Sequence, residues 1–229
     1  MKSHILLLTL AVPALSCSTQ LAEPEGEVPS LGRSAQADEG DSIARPKEAW
    51  ATDDAQLGRA VHYYDGETKR TLWLDESRVA EFTPSASSSQ ALAASFPGAR
   101  EAAGSFGRVK IWDVNRSPEI AQYVGDLNGL YADASFSPVL RDAQSEHASM
   151  KALPGGVLVV LDAAWSEQEA RDWLVSRGHA VRQSLPTAPN AFVIDTPVGM
   201  ESLEIANALF ESGDVVSASP NFWKESATR

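Results

Sequence analysis

The chain has a single cysteine among 229 residues, so no disulfide can staple it internally. Positive charge is scarce as well: 19 Lys and Arg stand against 31 Asp and Glu, a formal net charge of −12. That deficit excludes an electrostatic nucleic-acid binder, because phosphate would repel the surface. It leaves open a solvated acidic surface or contact with basic ones. Histidines number four, His4, His62, His147 and His179, and none stands at zinc-ligand spacing with a cysteine. There is no Gly-x-Ser-x-Gly elbow and no glycine loop that would cradle phosphate. The apolar run from Ile5 to Val12 is too short to cross a bilayer. No catalytic constellation, metal or cofactor is expected.

What is present begins with an export signal. Lys2 and His4 give residues 1–17 a polar start, Ile5 to Val12 an apolar middle, and Ala14-Leu15-Ser16-Cys17 an end that resembles a bacterial lipobox. The expectation is lipidation at Cys17 and a chain tethered to a membrane leaflet rather than spanning it. An ordinary signal peptide with an incidental cysteine is the alternative. Residues 18–59 read as a disordered acidic tether, rich in Glu, Asp, Ser, Ala, Gly and Pro with Trp50 as its one aromatic; such a composition cannot bury enough apolar surface to offset ordering entropy.

Residues 60–142 read as a hairpin followed by an α/β unit. Val61-His62-Tyr63-Tyr64 and Arg70-Thr71-Leu72-Trp73-Leu74 are β-rich runs joined by a loop from Asp65 to Lys69 that contains Asp65-Gly66. Arg78–Phe82 and Arg108–Asp113 are strand candidates, Ser87-x-x-Gln90 reads as a capping box, and Ser117-Pro118-Glu119 reads as a helix start. Residues 143–154 read as a linker. Residues 155–229 are the most patterned part: an apolar run Gly156–Leu161, a helix over Ser166–Arg177 with the box Ser166-x-x-Glu169, extended runs at Ala180–Ser184 and Ala191–Thr196, a helix over Met200–Ser212, and a last strand at Val215–Ser219. The order is strand, helix, strand, strand, helix, strand, a ferredoxin-like arrangement.

The middle segment repeats that order: residues 78–142 read as a degenerate copy of 156–224, with convergence on a common fold as the alternative. Asp113 recurs as Asp195, and Ser135, Ser137 and Pro138 recur as Ser217, Ser219 and Pro220 at the same offset. The expected class is therefore α+β: two tandem ferredoxin-like (βαββαβ) modules, each an antiparallel sheet with helices on one face. Asp113 and Asp195 could pass for a carboxylate pair, but as repeated strand ends they read better as structural caps.

Four runs carry a resemblance: Gly155–Val160, Ala188-Pro189-Asn190-Ala191-Phe192-Val193-Ile194, Ser202–Leu209, and Val215-Val216-Ser217-Ala218-Ser219-Pro220-Asn221-Phe222. Together they resemble the N-terminal prodomain of secreted subtilisin-like serine proteases, of the fervidolysin-prodomain type, over about a third of the chain. The chain stops at Arg229, where the protease of that family would begin. The resemblance implies a non-enzymatic partner that inhibits a subtilisin-like serine protease in trans, or assists its folding. It also implies a sheet face that packs on the protease and a C-terminal tail that lies substrate-like in the cleft. Here the tail is Phe222, Trp223, Lys224, Glu225, Ser226, Ala227, Thr228 and Arg229, with Arg229 nearest the nucleophile. Localisation is expected at the bacterial cell envelope, periplasm-facing or on the cell surface. The alternative is an envelope interaction lipoprotein that kept the fold without protease binding.

Overall fold

Residues 58–102, 108–131 and 133–225 are described by a computed structural model. The expectations for Cys17 and for nearly all of the tether lie outside them. The hairpin comes first along the chain. β1 (Ala60–Asp65) pairs antiparallel with β2 (Thr68–Phe82), and Asp65 pairs with Thr68. The connection is thus the two residues Gly66 and Glu67, shorter than the loop expected to Lys69. Gly66, at φ +59°, supplies the left-handed conformation that a two-residue turn needs. β2 is 15 residues long and joins two runs that look separate in sequence. A bulge between Asp75 and Val79 absorbs the polar residues between them by shifting the pleat.

Then come α1 (Ala86–Ser95), β3 (Arg100–Glu101), β4 (Val109–Asp113), α2 (Ile120–Leu130), β5 (Phe136–Arg141) and β6 (Met150–Ala152). Two expected helix starts are corrected. Ser85, not Ser87, caps α1: it exchanges hydrogen bonds with Ser88, and Ser88 Oγ also donates to the buried carboxylate of Glu81 at 2.5 Å. That second bond fixes which serine faces inward. α2 starts after Glu119 with no side-chain cap; Ser117 Oγ accepts only from the Glu119 backbone N–H. The segment 143–154 is not merely a linker, since β6 is a fully buried strand within it.

The remaining elements are β7 (Val157–Val160), α3 (Glu167–Ser176), β8 (Val181–Ser184), β9 (Ala191–Ile194), α4 (Met200–Glu211), β10 (Ser217–Pro220) and β11 (Trp223–Lys224). The strands form two antiparallel sheets, of order β11-β6-β5-β2-β4-β3 with β1 beside β2, and β10-β7-β9-β8. The class is α+β with antiparallel sheets, as the pattern implied. In both sheets the first strand of a strand–helix–strand series (β2 or β7) lies between the last (β5 or β10) and the third (β4 or β9).

α1, α2 and the start of α4 pack on one face of the large sheet, where Leu92, Val124 and Leu203 meet Leu72, Val79, Trp112, Phe136 and Leu140. α3 and α4 cover one face of the small sheet, where Leu174 and Leu209 meet Val157, Val159, Phe192 and Ile194. The hairpin reaches across to α4. Tyr64 stacks on Phe210 at 4.3 Å and its hydroxyl donates to Glu211, while Asn207 Nδ2 donates to the His62 carbonyl.

Candidate functional site

The face of the small sheet opposite its helices, which no described helix covers, is the surface that the local sequence prepares most carefully. Gly155 and Gly156 open β7 at φ +85° and +87°. A Cβ on Gly155 would sit 2.8 Å from the Thr196 carbonyl oxygen, and one on Gly156 would meet Arg182 and Val193. The pair lets β7 start tight against β9, which sets the register Val157↔Ile194 and Leu158↔Val193. Asn190 leads into β9 at φ +52°, and its amide donates to the carbonyls of Asp162 and Trp165. Asparagine tolerates that conformation, and its amide pins the loop from β7 to α3.

With this register, alternate residues divide cleanly. Val157, Val159, Phe192, Ile194 and Ala218 face the helices. The opposite face carries one row across the sheet, Ser219–Leu158–Val193–Gln183, and a second, Ser217–Val160–Ala191. Leu158 at its centre is 37 % exposed. At one corner Arg182 Nε donates to Asp195 at 2.5 Å. The result is a small apolar stripe edged by serines and one ion pair. Such a surface suits protein contact rather than catalysis.

Asp113 and Asp195 are not brought together. Asp113 accepts from Arg78 and lies 3.6 Å from Arg100, and Asp195 pairs with Arg182, so each closes a strand end. His179 follows α3, and burial, aided by the Arg177 charge, holds its imidazole below its usual range, which weakens it as a base. A cleft of about 310 Å³ opens between α2 and the turn before α4, lined in part by Val124, Asn128, Pro138, Pro197 and Glu201. The Asn128 amide is already spent on both backbone groups of Phe136. Among the described residues, no group of three or more His, Cys, Asp or Glu is placed to hold a metal ion.

The expected tail divides. Phe222 is half-buried against the first core and packs edge-to-face on Tyr63, ring centroids 5.0 Å apart. Trp223 pairs with Ala152 and Lys224 with Lys151, and the Glu225 N–H donates to the Met150 carbonyl. Trp223, Lys224 and Glu225 thus extend the large sheet; Ser226, Ala227, Thr228 and Arg229 lie outside the described residues. Sequence reasoning named the tail and passed over Leu158, Val160 and Val193. The signal was there: Val157–Val160 is apolar at every position, too apolar for a strand with one solvated face.

No protein-family model matches the chain, and no curated protein matches it. The crystal structure of a protein assigned as a glycine cleavage system transcriptional repressor matches over 65 % of this chain and 96 % of that one, at 15 % identity and a TM-score of 0.19. A likeness that slight carries no argument about this chain.

Proposed function

We propose that this chain is an exported, non-enzymatic binding protein. Its C-terminal unit, a ferredoxin-like module resembling a subtilase prodomain, docks a subtilisin-like serine protease through the uncovered sheet face. The observation that carries the proposal is the Leu158–Val193–Val160 stripe, apolar and free of any covering helix among the described residues. Two strand orders of the same form, β5-β2-β4-β3 and β10-β7-β9-β8, support the further proposal that the chain holds two such modules in tandem, related as degenerate copies. Anchoring through lipid on Cys17 belongs to the same proposal; incorporation of radiolabelled palmitate, lost in Cys17→Ser, tests it.

Because Trp223–Glu225 are held in the large sheet, the face carries the affinity in this reading and the tail does not. That same engagement favours a second reading, an envelope interaction lipoprotein that keeps the fold without inhibiting a protease. The deciding experiment titrates the full chain against a panel of subtilisin-like proteases, beside the double variant Leu158→Arg/Val193→Glu and the helix-side control Glu204→Lys. Inhibition by the full chain and the control, weakened at least about tenfold in the double variant, supports protease docking. Inhibition that the double variant retains moves the site elsewhere. No inhibition of any protease leaves the interaction lipoprotein.

A further inference from the structure

Two indoles at α3 are only half spent on the core. Trp165, just ahead of the helix, and Trp173, within it, are half-buried and rest on the core of the small sheet. Their ring centroids lie 6.0 Å apart with the planes tilted by 59°, so the rings form a V rather than a stack. A cleft of about 190 Å³ opens there, lined by Trp165, Glu169 and Trp173. Pockets for drug-sized ligands begin at roughly 300 Å³, so this one suits a single compact group. Its walls are held in place. The Trp165 carbonyl accepts from the Asn190 amide and its N–H donates to the Asp162 carbonyl. The Arg177 guanidinium lies 4.6 Å from the centroid of Trp173 and is paired with Asp214. Arg177 shows that this ring takes a cation, yet it does not line the cleft.

Glu169 supplies the charge. Its Oε2 accepts from the Ser166 hydroxyl and backbone N–H, and those bonds hold the carboxyl below its ordinary range, ionised at neutral pH. Its Oε1 accepts from no described residue. Two indole faces and a carboxylate attract a cation. Among the three lining side chains only that carboxylate accepts hydrogen bonds, so a primary ammonium or a guanidinium would give up water without replacing it. A quaternary ammonium has no N–H to satisfy and an apolar surface to lay on the rings. We propose that this cleft binds a quaternary ammonium group, the choline head of a small solute or of a lipid. It belongs to the helix layer, across the small sheet from Leu158 and Val193, and stands whether or not that face docks a protease.

The test follows the indole N–H signals of the full chain by NMR, assigned through Trp165→Phe and Trp173→Phe, during titration with choline chloride and with neohexanol, its uncharged carbon isostere. The expected result is a saturable shift of the Trp165 and Trp173 signals with a Kd of about 1 mM or tighter, and binding of neohexanol at least about tenfold weaker. The Trp112 signal, whose N–H is bonded to Glu81, should stay in place. Glu169→Gln keeps the capping box and so the fold; it should weaken choline about three- to tenfold and leave neohexanol unchanged. Equal binding of choline and neohexanol overturns the proposal, since the cleft is then merely apolar. Shifts that do not saturate by about 50 mM, or an unchanged choline affinity in Glu169→Gln, overturn it as well. Flotation with vesicles in a Cys17→Ser background separates the sources. Retention on phosphatidylcholine but not phosphatidylglycerol, competed by free choline, assigns the lipid head; choline binding without retention assigns the solute.

Discussion

Asp75 and Arg141 meet inside the large sheet in a fork that leaves neither group unsatisfied. Asp75 Oδ2 accepts from Arg141 Nε at 3.0 Å and from Nη2 at 2.8 Å, and both side chains are 2 % exposed. Asp75 Oδ1 accepts from the Ser77 backbone and hydroxyl, and Arg141 Nη1 donates to the Ala148 carbonyl. Removing one member strands a buried charge. Asp75→Ala is expected to cost about 3–5 kcal/mol by urea unfolding, whereas Asp75→Leu with Arg141→Met recovers most of it. An Asp75→Ala cost below about 1 kcal/mol would mean that water reaches the pair.

The capping box on α3 ties the stability of the small sheet to acid. The Ser166 hydroxyl and backbone hold the Glu169 carboxyl below its ordinary range, and Arg171, with Ser184, does the same for Glu167. Each carboxyl is more acidic folded than unfolded, so its contribution is present above the unfolded value and is lost as pH falls through the folded one. The melting temperature should therefore drop on acidification through and below the usual carboxylate range. Glu169→Gln should flatten that drop, and Ser166→Ala should lower the melting point by a few degrees at neutral pH.

Gly155 is expected to reject any side chain. At φ +85°, and with the Thr196 oxygen 2.8 Å from the site of a Cβ, Gly155→Ala combines left-handed strain with a backbone clash. It should cost about 2 kcal/mol or more in denaturant unfolding. Gly213→Ala, which meets nothing within 4 Å, should cost less.

Phe222 is predicted to matter for β6 more than for the unit it follows in sequence. Its ring packs on Tyr63, and the Lys151 ammonium lies 5.5 Å from the centroid of each ring. Phe222→Ala should cost about 2–3 kcal/mol. Faster amide exchange should appear in Met150–Ala152 before Ala191–Ile194. The reverse order would show that the tail stabilises the small sheet instead.

Local chemistry explains what was legible in the sequence. The order of strands and helices in residues 155–220 and the Ser166–Glu169 box both follow from neighbours in the chain, and each element lies within a residue or two of where the pattern puts it. The hairpin was visible from its two β-rich runs. What escaped was long-range. β6 is three residues long and reads as linker until β5 and β11 flank it. The inward serine of α1 was decided by Glu81 on another strand. The tail, composed of residues that suit an extended peptide, reads as a ligand because its partner strand lies far back in the chain, Trp223 pairing with Ala152 and Lys224 with Lys151. The apolar stripe on the small sheet hid for a related reason: alternation shows which residues share a face, but not which face the helices will choose.

The return of β11 to β6 sets the order in which the molecule can be finished. The edge strand of the large sheet is supplied by Trp223 and Lys224, and the hairpin near the start of the folded part is clasped by α4 through Tyr64 and Glu211. A nascent chain that has made residues 58–152 still lacks both its closing strand and the helix that holds its arm. Completion of the large sheet therefore waits until Trp223 and Lys224 are free to pair, and a truncation that removes them removes its edge strand. Folding of this kind, dominated by contacts between distant parts of the chain, is slow. Until those two residues arrive, β6 remains an open edge of the large sheet.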